Sequence, residues 1–145
     1  MTGEREINIL LVEDTKEHAV LMRRFLQKAR LKSRLSWITD GKLALDFLHH
    51  RGAYTDRETN PRPDIILLDL KLPRVNGLEI LEDIKRDERL KDIPVVILTA
   101  SDNKNDIVNT YMGGAYSYFA KSLLFLNKEA GPTVILDTVM AMAGV

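Results

Sequence analysis

A doubly wound α/β domain, with five parallel strands covered by helices on both faces, is the fold class this sequence predicts. Three observations predict it. The stretches Ile65 to Leu68 and Val95 to Leu98 are apolar at every position rather than at alternate ones, as in parallel strands buried on both sides. Strand-like and helix-like stretches alternate along the chain, so short connections and right-handed crossovers limit the topologies available. Strand candidates also end on polar residues, namely Glu13-Asp14, Asp69, Thr99 and Lys121. Open parallel sheets bind ligands at the carboxyl ends of their strands.

The elements follow in order. Ile7 to Val12 is the first strand, closed by Glu13-Asp14 and by Thr15 as a helix N-cap. Helix one runs to about Arg30, with Met22, Phe25, Leu26 and Ala29 as its inward stripe. Leu35 to Thr39 is a short second strand, with Trp37 read as core packing. Asp40-Gly41 opens a second helix carrying Leu43, Ala44, Phe47 and Leu48. His49 to Pro63 is a long polar surface connection, in which His49-His50 reads as a solvated helix end rather than a metal site. Asp64 opens the third strand, and Asn76-Gly77 begins a third helix with Leu78, Leu81 and Ile84 facing inward. Pro94 to Leu98 is the fourth strand, and helix four spans about Asp102 to Met112 before the stop signal Gly113-Gly114. Tyr116 to Ala120 is the fifth strand, and a last helix covers roughly Thr133 to Ala143.

At 145 residues the chain reads as one domain, 1–145, with no second, output domain. Lys plus Arg (21) balance Asp plus Glu (21), so no bulk charge favours nucleic acid or an anionic membrane. With no cysteines, disulfide frameworks and thiolate metal sites are excluded. The polar start and the lack of any apolar run near the roughly 18 residues of a membrane span give the expectation of a cytoplasmic protein.

Strand order 2-1-3-4-5, a common arrangement of such sheets, would bring Glu13, Asp14 and Asp69 together with Thr99 and Lys121 beside them. Three crowded carboxylates repel one another unless a cation intervenes, and hard oxygen ligands suit Mg²⁺. Asp14 is the best direct ligand, with Glu13 acting directly or through water. Asp69 could then stay ionised, attack an anionic phosphoryl group in line and become an acyl phosphate. Mg²⁺ would cover one phosphoryl oxygen, the Thr99 hydroxyl a second and the Lys121 ammonium a third.

These residues resemble a response regulator receiver domain of two-component systems. The resemblance is carried by Leu-Leu-Val-Glu13-Asp14, Leu-Leu-Asp69-Leu-Lys-Leu-Pro73-Arg-Val-Asn-Gly77, Ile-Leu-Thr99-Ala100, Gly114-Ala115 and Tyr118-Phe-Ala-Lys121, spanning residues 7 to 121. It implies a flavodoxin-like receiver fold and a sensor histidine kinase or a histidine phosphotransfer protein that donates from phosphohistidine to Asp69. It also assigns a metal-coordinating backbone carbonyl to Lys71 and a switch to Thr99 and Tyr118, Tyr118 packing inward when Thr99 is drawn to the phosphoryl group. Lys71 and Ser101, each two residues beyond a site residue, flank the path of an attacking water and would tune the phosphoryl lifetime. Overall pattern is most like the small regulators paired with bacterial phytochromes. Such a protein promotes only its own phosphorylation and dephosphorylation, and is otherwise not an enzyme.

One departure stands out: Ser122 follows Lys121 where the family usually has Pro, often in a cis bond. A non-proline cis bond costs about 3 kcal/mol, so either a trans bond reshapes the loop or neighbouring contacts hold the strain. The terminal residues Val134, Ile135, Leu136, Val139, Met140, Met142 and Val145 spread round their helix, and Leu123 to Leu126 adds an apolar run. With helix four and strand five this end is expected to form a homodimer interface, the alternative being that residues 122 to 131 fold back over it. The competing function is a Mg²⁺-dependent aspartate-nucleophile phosphatase. Such enzymes carry Asp-x-Asp at the strand end, where this chain has Asp69-Leu-Lys71.

Overall fold

Leu10, Val12, Ile66, Leu68, Val95 and Ile97 project to one face of a five-stranded parallel sheet, and Ile9, Leu11, Ile65, Leu67, Val96 and Leu98 to the other. Alternate side chains of a strand point to opposite faces, so runs apolar at every position build two cores at once. The computed structural model describes residues 6–28, 32–100, 103–121, 137, 138 and 141. Its elements are β1 (Ile7–Val12), α1 (Lys16–Lys28), β2 (Ser33–Ile38), α2 (Gly41–Leu48), β3 (Ile65–Leu68), α3 (Gly77–Arg86), β4 (Val95–Thr99), α4 (Lys104–Met112) and β5 (Ser117–Ala120). Strand order is β2-β1-β3-β4-β5, as expected. Ser101, Ser122, the run Leu123 to Leu126 and most of the expected last helix lie outside the described residues; Asp137, Thr138 and Ala141 are helical.

Ala19, Met22 and Leu26 of α1 close one core, with Phe25 partly covered beside them. Ala44, Phe47 and Leu48 of α2 and Ile80, Leu81 and Ile84 of α3 close the other. Leu78 departs from expectation: it is only half-buried, and Ile80 takes the deep position. A helix presents its inward stripe in steps of three and four residues, and 77, 80, 81 and 84 keep that spacing around the buried Gly77.

Local signals account for the helix starts. Asp40 accepts the N–H of Leu43 at 2.9 Å, and Asn76 accepts that of Glu79 at 3.0 Å while its side-chain amide donates to the Glu79 carboxylate at 2.9 Å. Asn103 caps α4 through the N–H of Asn105, and Gly114, at φ +97°, takes the left-handed turn after Gly113. Asp64 opens β3 as expected, exchanging backbone and carboxylate hydrogen bonds with Asn8 at 2.7 and 2.8 Å.

The connection from His49 to Pro63 is fastened down rather than loose. Gly52–Tyr54 forms one 3₁₀ turn, and the Tyr54 ring meets Phe47 edge to face at 5.4 Å. Arg34 on β2 donates to the carbonyls of Glu58 and Thr59, so the insert covers part of an edge strand. His49 corrects the solvated reading: its Nε2 lies 2.6 Å from Asp83 and its Nδ1 3.6 Å from Asp87, tying the end of α2 to α3.

Candidate functional site

Register places the site residues at one end of the sheet. Val12 pairs with Leu68, Leu68 with Ile97 and Ile97 with Tyr118, so the chain leaves all four strands near the same level. Glu13 and Asp69 are therefore neighbours one residue beyond β1 and β3, with Asp14 one step further out. Their backbones are still held by the sheet: Glu13 N–H donates to the Ile38 carbonyl and Asp69 N–H to that of Val12, both at 3.0 Å.

Asp69 is 5 % exposed and Glu13 3 %, whereas Asp14 faces solvent. Lys121, the residue after β5, buries its ammonium between the two inner acids, 2.5 Å from Glu13 Oε1 and 2.8 Å from Asp69 Oδ2. The second oxygen of each acid is met by a backbone donor. Thr15 N–H reaches Glu13 Oε2 and Lys71 N–H reaches Asp69 Oδ1, each at 3.1 Å. Thr99 is completely buried at the end of β4, and Tyr118 on β5 is half-buried against the α2/α3 core.

Burial pushes Glu13 up to about 7, against the opposing pull of Lys121 and the Thr15 N–H. Burial also disfavours the charged form of Lys121, but its bonds to Asp69 and Glu13 outweigh that cost and leave its pKa above the ordinary value. The cation is thus fixed as an ammonium facing Asp69.

One oxygen each from Glu13, Asp14 and Asp69 lie within 4.8 Å of one another. This donor set is all oxygen, carries formal negative charge and opens through Asp14 and Lys71 into a cleft of about 440 Å³ also lined by Leu72, Pro73 and Asn76. It fits a hard divalent cation that keeps part of its water shell. Pro73 and Asn76-Gly77 shape the cleft wall, with Gly77 N–H donating to the Leu70 carbonyl at 2.8 Å and a side chain at Gly77 barred by the Asp69 backbone.

Two site residues escaped the sequence. His18, on the first turn of α1, places Nδ1 3.1 Å from the Lys121 ammonium and 3.6 Å from Glu13. Burial, then the nearby Lys121 charge, lowers its pKa and favours the neutral ring. Its only sequence signal is a spacing of four residues from Asp14, one helical turn, which many helical residues share. Trp37 is half-buried beside the α1 core as expected of packing, but its Nε1 also donates to the Glu13 carbonyl at 2.7 Å. Among the described residues no peptide bond is cis, and the Lys121-Ser122 bond falls outside them.

Known proteins agree with this geometry. The chain is 44 % identical over 126 residues to the probable methanogenesis regulatory protein FilR2 of Methanothrix harundinacea, covering 86 % of this chain and 78 % of that protein. It is 42 % identical over 114 residues to the response regulator Rcp1 of Synechocystis sp., covering 79 % and 76 % of the two chains. The crystal structure of Mn²⁺-bound Rcp1 superposes with a TM-score of 0.81 at 36 % identity over 92 % of each chain. That of the phosphorylated cyanobacterial phytochrome response regulator RcpA gives 0.83 at 34 % identity, over 94 % of this chain and 93 % of that one. The response regulator receiver domain model matches residues 9–130. With its sheet order, its acidic pocket for a divalent cation and these likenesses, the chain belongs to the response regulator receiver domain family.

Proposed function

We propose that the protein accepts a phosphoryl group on Asp69 from the phosphohistidine of a sensor histidine kinase or a histidine phosphotransfer protein. The observation that carries this reading is the buried Lys121–Asp69 contact of 2.8 Å, beside two further acids at the same strand ends. Asp69 forms the new O–P bond as the P–N bond of phosphohistidine breaks, and the departing imidazole takes up a proton. Glu13, Asp14, Asp69 and the Lys71 carbonyl would hold Mg²⁺, which supplies charge neutralisation at the phosphoryl oxygens. Lys121 follows the developing charge on one phosphoryl oxygen, and the Thr99 hydroxyl binds another. Movement of Thr99 toward the phosphoryl group draws Tyr118 inward and alters the surface of α4 and β5. Lys71 and Ser101 set the lifetime of the adduct, so changing them should alter dephosphorylation more than phosphorylation; equal effects on both rates would count against that role.

The test is to incubate the protein with Mg²⁺ and a small phosphodonor, with Asp69→Asn as control. An acid-stable, hydroxylamine-labile adduct absent from the variant is expected. No adduct, or as much in the variant, overturns the reading. Turnover of many equivalents of a phosphoester would instead mark a phosphatase, which Lys71 two residues after Asp69 argues against.

Similarity to RcpA, a phytochrome response regulator, supports a phytochrome as the kinase. No helix among the described residues is long and apolar enough to cross a membrane. Signalling proceeds through phosphorylation-dependent protein contacts, with a homodimer formed by the apolar C-terminal end together with α4 and β5. Val108, Tyr111, Met112 and Tyr116 support this face, being 52, 50, 82 and 54 % exposed. Sedimentation showing only monomer at tens of micromolar, with and without phosphorylation, would exclude the dimer.

A further inference from the structure

Lys121 follows the last paired residue of β5, and where its long side chain points is set by what surrounds the ammonium. An ammonium carries three donors. Three acceptors meet it here: Glu13 Oε1 at 2.5 Å, Asp69 Oδ2 at 2.8 Å and His18 Nδ1 at 3.1 Å.

The two carboxylates and the imidazole differ in what the reaction asks of them. Asp69 gives up an oxygen to phosphorus, and Glu13 is wanted by the divalent cation. His18 has neither task. It is carried by α1, whose Ala19, Met22 and Leu26 are locked into the core, so its ring is presented to the ammonium by an element other than the strand ends that carry the two acids. We propose that His18 is a positioning residue for Lys121: the bond from Lys121 to His18 Nδ1 persists through phosphoryl transfer and keeps the ammonium aimed at the incoming phosphoryl oxygen. The contact requires the neutral ring with its hydrogen on Nε2, since Nδ1 must accept.

This inference rests on Asp69 being the phosphoacceptor. Its test compares the full-length protein with His18→Leu, which keeps bulk without an acceptor, and His18→Asn, whose amide oxygen stands close to the place of Nδ1. Phosphorylation by a small phosphodonor and Mg²⁺ affinity are measured for each, the latter by Trp37 fluorescence, since that indole touches the Glu13 carbonyl. Losing a hydrogen bond to a charged group in a half-open site should slow phosphorylation about tenfold in His18→Leu, with His18→Asn recovering to within about threefold of the native rate. Mg²⁺ affinity should change by less than about threefold in either, which separates a loss of aim from a damaged pocket. A His18→Leu rate within about twofold of native, or His18→Asn as slow as His18→Leu, overturns the role. Long-range proton–nitrogen NMR correlations should also show the Nε2–H tautomer, and a ring protonated on Nδ1 alone would overturn it independently. If the native protein forms no Asp69 adduct, the phosphoacceptor reading itself fails, and that failure is visible before any His18 variant is compared.

Discussion

The Lys121 ammonium stands 2.8 Å from the Asp69 carboxylate although 52 residues separate them in the chain. Each group is buried, and each is the other's counter-charge. Replacing Lys121 by Ala should slow adduct formation on Asp69 by about a hundredfold or more, the usual cost of removing a donor aimed at developing charge. Mg²⁺ should bind at least as well as before, because Glu13 loses the cation that now shares its carboxylate. Rates with a small phosphodonor, set beside metal titrations, check both halves; an undiminished rate would show that Lys121 is only structural.

Glu13, raised to about 7 by burial, makes metal binding pH-dependent. A protonated Glu13 cannot serve as an anionic ligand, so Mg²⁺ affinity should fall as pH drops from about 8 to about 6. Stability without metal should run the other way. Between the ordinary carboxyl value of 4.5 and about 7 the folded protein keeps a proton that the unfolded chain releases, so this group's contribution is lost as pH rises through that window. Denaturant titrations of native protein and Glu13→Gln across the window should converge on the acid side. Parallel curves at every pH would remove Glu13 as the cause.

Gly77 is needed because a Cβ there would run into the carbonyl of Asp69 and the Cα of Leu70. Gly77→Ala should cost about 1–3 kcal/mol through overpacking. The same push moves the backbone that carries Asp69, so phosphorylation should slow as well. Denaturant midpoint and adduct yield are the measurements, and a variant normal in both would mean that the loop yields freely.

Asp40 does two jobs at the start of α2, capping Leu43 N–H at 2.9 Å and pairing with Arg74 at 2.7 Å. Burial is the largest single influence and opposes its charged form, but the Leu43 N–H, Arg74 and the Lys42 N–H together outweigh it and hold the carboxyl below its ordinary range. Asp40→Ala should cost about 1 kcal/mol, mostly from the cap, since exposed ion pairs add little. The advantage of native protein over Asp40→Asn should be present above the ordinary carboxyl range and vanish as pH falls through the lowered value. Arg74 itself has φ +66°, so Arg74→Gly should be near neutral: relief of about 1 kcal/mol of backbone strain offsets the lost pair. Thermal or denaturant melts at neutral and acid pH decide each point.

By itself the sequence determined the sheet and the identity of its terminal residues. Short runs apolar at every position, rich in Ile and Val and bounded by polar residues and Pro, fit parallel strands buried on both faces, and caps such as Asp40 and Asn76 announce helices because they satisfy local backbone donors. Those signals are local, and they placed Glu13, Asp14, Asp69, Thr99 and Lys121 at strand ends before any distance was known. The tertiary structure decided what those residues touch. His18 looked like any helical residue until α1 packed against the sheet and brought it to Lys121, and Trp37 looked like core until its indole met the Glu13 carbonyl. His49 passed for a solvated helix end until α3 supplied Asp83 and Asp87. In each case the partner is far along the chain and comes close only through strand pairing, as for Trp37, or helix packing, as for His18 and His49, relations that no spacing or periodicity encodes.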